Sequence, residues 1–80
     1  MTPDARIDIR REVCPMTFVR TQLALEQLPP GGVLEVLLKG EEPLRNVPGS
    51  ARDAGHEVLG LEPVGDGSYR LWLRKRSGGC

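Results

Sequence analysis

Hydrophobic and polar positions alternate at the start of the chain and then change period. In "RIDIR", Ile7 and Ile9 fall on one side and Arg6, Asp8 and Arg10 on the other, as in a short half-buried strand. From Pro15 the spacing lengthens. Phe18, Thr21, Leu25 and Leu28 follow i, i+3, i+7 and i+10, the core stripe of a helix that stops before "PPGG". Pro15 suits the first helical position, where its missing N–H has no acceptor to lose and its φ is already helical.

The period shortens again in "VLEVLLK", a second strand with Leu34, Val36 and Leu38 on one face and Val33, Glu35, Leu37 and Lys39 on the other. In "GEEPLRNVPGSARDAGH" the prolines predict a break: one turn opened by Pro43, then a short second helix capped by Asn46, starting near Pro48 and stopping at Gly55. "EVLGLEPV" and "SYRLWLRKR", joined by "GDG", predict a hairpin.

The predicted order is β-α-β-α-β-β. Three strands have one apolar face (Ile7/Ile9, Leu34/Val36/Leu38, Tyr69/Leu71/Leu73) and one largely polar face. A sheet wetted on one side needs helices only on the other, so the expected fold is an α+β two-layer α/β sandwich. Its four-stranded mixed sheet carries both helices on one face, with the first two strands parallel across the β-α-β crossover. Eighty residues predict a single domain over 1–80, with a core over about 6–75 and a flexible tail at 77–80.

Charge narrows the function classes. Eleven acidic and eleven basic residues cancel, so no overall field attracts nucleic acid or an anionic membrane, and neither is expected as a stable partner. No apolar run reaches the length of a membrane span, and "MTPDARIDIR" lacks the layout of a signal peptide. The expected location is the cytoplasm, where thiols stay reduced. One His and two distant Cys are too few for a zinc site, so no metal and no cofactor are expected.

That leaves the thiols. Cys14 stands at or just before the start of the first helix, where unpaired N–H groups and the helix dipole favour negative charge. Arg10, Arg11 and Arg20 are close in sequence and add positive potential if they point that way. Such surroundings lower a thiol pKa from its free value of about 8.5 and produce the nucleophilic thiolate. They equally stabilise a persulfide anion. The alternative is that Cys14 is a small buried hydrophobe.

"DIRREVCPMTFVRTQLALEQLPPGGVLEVLL" followed by "EPLRNVPGSARDAGHEV" resembles the TusA/SirA-like sulfur-carrier family over roughly residues 6–75. The resemblance lies in a short strand, a Cys-Pro pair opening a Leu/Ala-rich helix, a Gly-preceded strand and a second helix ending in Gly-His. It implies a carrier-type sulfurtransferase whose Cys14 accepts sulfur as a persulfide, with Pro15 opening the helix. Implied partners are a cysteine desulfurase or rhodanese-like donor and a downstream acceptor protein, in tRNA thiolation, cofactor maturation or sulfur metabolism. The family pattern Cys-Pro-x-Pro has Thr17 here in place of its second proline. Arg11 stands where a glycine is common, and Glu42 and Asn46 replace frequent aspartates.

Other residues invite weaker readings. Met16, Val19 and Leu23 form a second apolar stripe on the first helix, beside Cys14, suited to docking donor and acceptor proteins or else to deeper burial or self-association. Trp72 between Arg70 and Arg74 fits a solvated sheet face better than a base-stacking platform, and His56 fits a helix end better than a catalytic base. In "SGGC", Cys80 is either incidental or a resolving thiol for Cys14, and its position after Gly-Gly blocks thiocarboxylate chemistry without trimming. The competing function is a regulatory or protein-interaction module that keeps the fold and performs no thiol chemistry.

Overall fold

The computed structural model describes residues 2–13 and 16–76. Its elements are β1 (Ala5–Asp8), α1 (Met16–Glu26), β2 (Val33–Lys39), α2 (Glu41–Asp53), β3 (Glu57–Gly65) and β4 (Ser68–Arg74). The order is the expected β-α-β-α-β-β. The sheet runs β1-β2-β4-β3, with β1 parallel to β2 and the other pairs antiparallel, so it is mixed.

The alternation along the strands sets which face is buried. Leu34, Val36, Leu38, Leu71 and Leu73 are fully enclosed, joined by Ile9, Leu25, Leu28, Val47 and Ala51 in one core between the sheet and the helices. The β3–β4 turn works because Asp66 (φ 45°) and Gly67 (φ 81°) both adopt the left-handed region, the type I′ geometry favoured by Asp-Gly.

Two expectations are corrected. The second helix does not wait for Pro48: α2 runs unbroken from Glu41 to Asp53. Asn46 therefore lies inside it and caps nothing. Pro43 is its third residue, where the backbone N–H has no intrahelical acceptor in any case. Pro48 does forfeit one helical hydrogen bond, at a typical cost of about 3 kcal/mol. It is, however, buried with Val47 and Ala51 on the face turned to the core, and that packing overrides local propensity. Gly55 (φ 92°) ends the element as expected.

The core stripe of α1 keeps Thr21, Leu25 and Leu28 as expected, but it begins at Thr17 and not at Phe18. Thr17, Thr21 and Leu25 are its buried residues, whereas Phe18 is only half-buried in the seam with Ala51, Ala54 and His56 on the α2 side. Two threonines face the core because Thr21 has its hydroxyl satisfied locally, donating to the Thr17 carbonyl at 2.8 Å.

The open face of the sheet is laced with charge. Glu35, nearly buried, lies 3.7 Å from both Arg6 and Arg70. Arg70 pairs with Glu62 at 3.0 Å and Arg74 with Glu57 at 3.3 Å. The Trp72 indole N–H also points to Glu62, at 3.4 Å. The arginines flanking Trp72 thus already have carboxylate partners within the sheet.

Candidate functional site

β1 and β2 are parallel and both helices start at their carboxyl ends, so the β1–α1 connection and the first turns of α1 and α2 gather at one end of the sheet. In sheets of this kind ligands meet the protein outside the carboxyl ends of the parallel strands. The Ile9 N–H extends the parallel ladder to the Leu37 carbonyl (2.9 Å). The Glu12 N–H then donates to the Ile9 carbonyl (3.1 Å), turning the chain back toward α1, and the Met16 N–H donates to the Val13 carbonyl (2.7 Å). Cys14 and Pro15 lie outside the described residues; Val13 and Met16 stand at this end of the sheet. The amides following Met16 open α1 and have no acceptor one turn earlier within the helix, which makes this end electropositive.

The predicted supporting residues separate. Arg10 is paired with Asp8: its Nε and Nη2 donate to the two Asp8 oxygens at 2.9 and 2.8 Å, and its backbone N–H to Oδ1 at 3.1 Å. The hydrogen bond from the Arg10 side chain holds the Asp8 carboxyl down at about 2. The charge of Arg10 is thereby spent on its neighbour. Arg11 and Arg20 are exposed, and neither forms an ion pair among the described residues.

Sequence reasoning passed over Lys39 and Asp66. The β2–β4 register sets Lys39 opposite Ser68, which draws the β3–β4 turn beside the β1–α1 turn. Asp8, Arg10, Arg11, Lys39, Asp66 and Ser68 line an open cleft of about 270 Å³ there. The Asp66 carboxyl is held below its ordinary value, chiefly by the Ser68 hydroxyl and further by the charges of Lys39 and Arg10. Only the strand order brings these residues together; no local pattern announces them.

The apolar stripe on α1 is on the surface: Met16, Val19 and Leu23 are 42%, 37% and 53% exposed. Val13, at 73%, extends it toward Cys14 and was missed because it lies outside the helical repeat. The stripe thus runs from the segment before Cys14 along the outer side of α1. His56 and the end of β4 lie at the opposite end of the sheet from Val13 and Met16.

Thr17 occupies the second position of α1, where a residue forfeits no intrahelical bond by lacking an N–H. A Thr17→Pro variant is therefore expected to fold. It keeps the carbonyl that accepts from Thr21, and α1 would start at the proline, with unfolding free energy changed by no more than about 1 kcal/mol. Chemical denaturation checks this; a loss above about 2 kcal/mol would show that the Thr17 hydroxyl has a larger part in the core.

Among the described residues no group of His, Cys, Asp and Glu is placed to hold a metal ion, and no helix is long and apolar enough to cross a membrane. Residues 5–75 match a family model described as Sulfurtransferase TusA. A relative from Archaeoglobus fulgidus, named "Putative sulfur carrier protein", is 43% identical over 70 residues, covering 88% of this chain and 80% of its own. A relative of the same name from Thermotoga maritima is 35% identical, covering 85% and 86%. The crystal structure of a SirA-like protein from Desulfitobacterium hafniense superposes with a TM-score of 0.79 at 24% identity, over 91% of this chain and 99% of that one. At that identity the superposition speaks for the fold alone.

Proposed function

Because the chain belongs to the TusA sulfurtransferase family, we propose that its part in sulfur transfer is that of a persulfide relay, with Cys14 as the sulfur-bearing residue. The supporting observation is the family match across residues 5–75, in which a Cys-Pro pair directly precedes α1. The ionised thiol attacks the outer sulfur of a donor persulfide. A new S–S bond forms to Cys14, the donor's S–S bond breaks, and the donor sulfur leaves as a thiolate with the electron pair. Delivery repeats the step with an acceptor thiolate attacking the outer sulfur and Cys14 leaving. Neither step changes the net oxidation state.

What the protein supplies is a stabilised anion. The unpaired amides of α1, with Arg11 and Arg20 nearby in the chain, favour both the Cys14 thiolate and the persulfide anion over their protonated forms. Val13, Met16, Val19 and Leu23 provide the apolar face on which a cysteine desulfurase or rhodanese-like donor, and later an acceptor protein, would be held while two sulfurs meet. Such a carrier needs a compartment that keeps thiols reduced, and the cytoplasm meets that need.

Incubation of the reduced protein with a cysteine desulfurase and cysteine, followed by intact mass measurement, tests the relay. The wild type is expected to gain one sulfur atom that a thiol reductant removes, and Cys14→Ser to gain none. Equal labelling of Cys14→Ser would end the proposal.

A further inference from the structure

At the end of the sheet remote from Val13 and Met16, the chain leaves β4 through its own set of bonds. The Lys75 N–H donates to the Gly32 carbonyl at 2.8 Å, and the Gly31 N–H to the Lys75 carbonyl at 3.0 Å. Lys75 Nζ caps the end of α1 by donating to the Leu28 carbonyl at 2.6 Å and the Glu26 carbonyl at 3.2 Å. The next residue is tied elsewhere. The Arg76 N–H donates to His56 Nδ1 at 3.1 Å, and Arg76 Nη1 to the Ala54 carbonyl at 3.3 Å. Gly55 fits this crossing because a Cβ there would stand 3.2 Å from Arg76 Cδ, on a backbone already at positive φ.

We propose that His56 is a proton-operated latch on this exit: as a neutral ring it fastens the Arg76 backbone to the α2–β3 turn, and as an imidazolium it lets go. To accept from Arg76, Nδ1 must present its lone pair, which places the ring proton on Nε2. Protonating Nδ1 turns the acceptor into a donor facing another donor. The charged groups around the ring do not favour that state. Lys75 and Arg76 face it from the end of β4, and Glu26 of α1 is the only carboxylate among the described residues that line the same cleft, already accepting from Gln22 at 3.4 Å. Glu57, the next residue along, is paired with Arg74.

Burial first, then the Arg76 and Lys75 charges, hold the His56 pKa below its ordinary 6.5. The sign follows. With the native value below the unfolded one, the unfolded chain binds more protons in that interval, so this stabilisation is complete above pH 6.5 and is lost as pH falls through the native value. The latch is closed at neutral pH and opens in acid.

Amide hydrogen exchange and histidine nitrogen NMR on the Cys14→Ser protein test the latch independently of any sulfur chemistry. At pH 7.5, Nε2 is expected to carry the ring proton. Lowering the pH one unit below the His56 midpoint read from the same spectra should reduce the protection factor of the Arg76 amide about tenfold while Leu71 and Leu73 amides keep theirs. His56→Asn, which can offer a non-titrating acceptor at a similar position, should hold Arg76 protected at both values; His56→Ala should leave it unprotected at both. A proton on Nδ1 at pH 7.5, or the same pH-dependent loss in His56→Asn, would overturn the latch.

Discussion

Mild oxidation of this chain with diamide is expected to yield no internal disulfide between Cys14 and Cys80, although both are present on one small domain. β4 runs antiparallel to β2 and returns the chain to the end of the sheet where β2 begins, whereas Val13 and Met16 stand at the end where it finishes. Lys75 is held at the near end by backbone bonds to Gly31 and Gly32, and Arg76 by its N–H to the His56 ring Nδ1. From Gly32 to Lys39 the chain rises about 23 Å at roughly 3.3 Å per residue. Residues 77–80, fully extended, reach at most about 14 Å, and bridged cysteines need their Cα atoms within roughly 7 Å. The two segments thus meet the sheet at opposite ends, which works against an internal bridge. A resolving role for Cys80 is therefore expected between molecules. Non-reducing electrophoresis with alkylation and intact mass distinguishes the cases: the monomer should keep both thiols alkylatable, and any Cys14–Cys80 bond should appear as a dimer. A monomer that has lost both thiols without an added group would show that the β4 exit opens far more than these bonds allow.

The same topology explains what the amino-acid pattern shows and what it hides. Strand β2 is legible to the residue, because Leu34, Val36 and Leu38 meet a core on one side only and the flanking glycines bound the run. The Asp-Gly hairpin is legible because its left-handed backbone admits few residues. The length of α2 is hidden: Pro43 and Pro48 look alike as breakers, yet one lies in a turn that lacks acceptors and the other is compensated by burial. The first core position of α1 is hidden too, because size favours Phe18 and polarity marks Thr17 as a poor core residue, yet Thr17 is buried one turn before Thr21, whose hydroxyl bonds its carbonyl.

At the candidate site the residue types are readable and their pairings are not. Three arginines near a helix start look equivalent in sequence. Asp8, two residues before Arg10 on the polar side of β1, is the one that captures a guanidinium, while Arg11 and Arg20 stay exposed. Lys39 joins the same end only through strand order, a property of the assembled sheet. The exposed apolar stripe, by contrast, was visible from helical spacing alone, since a helix packed on one side of a two-layer sandwich must turn its other side outward.

That outward side yields the last expected result. Replacing Val19 and Leu23 together by glutamine should lower the rate of sulfur transfer from a desulfurase at least about tenfold, since anchor positions in protein interfaces commonly contribute 1–2 kcal/mol or more each. Both side chains are substantially exposed, so the unfolding free energy should stay within about 0.5 kcal/mol of wild type. Glutamine is chosen because it keeps the helix and adds no charge, leaving the field at the start of α1 as it was. The rate of Cys14 alkylation by iodoacetamide should therefore not change. That separation carries the meaning: lost transfer with unaltered thiol reactivity and stability assigns the stripe to holding the partner. Unchanged transfer would remove α1 from the docking surface, and slowed alkylation would mean that the stripe acts on the thiol itself.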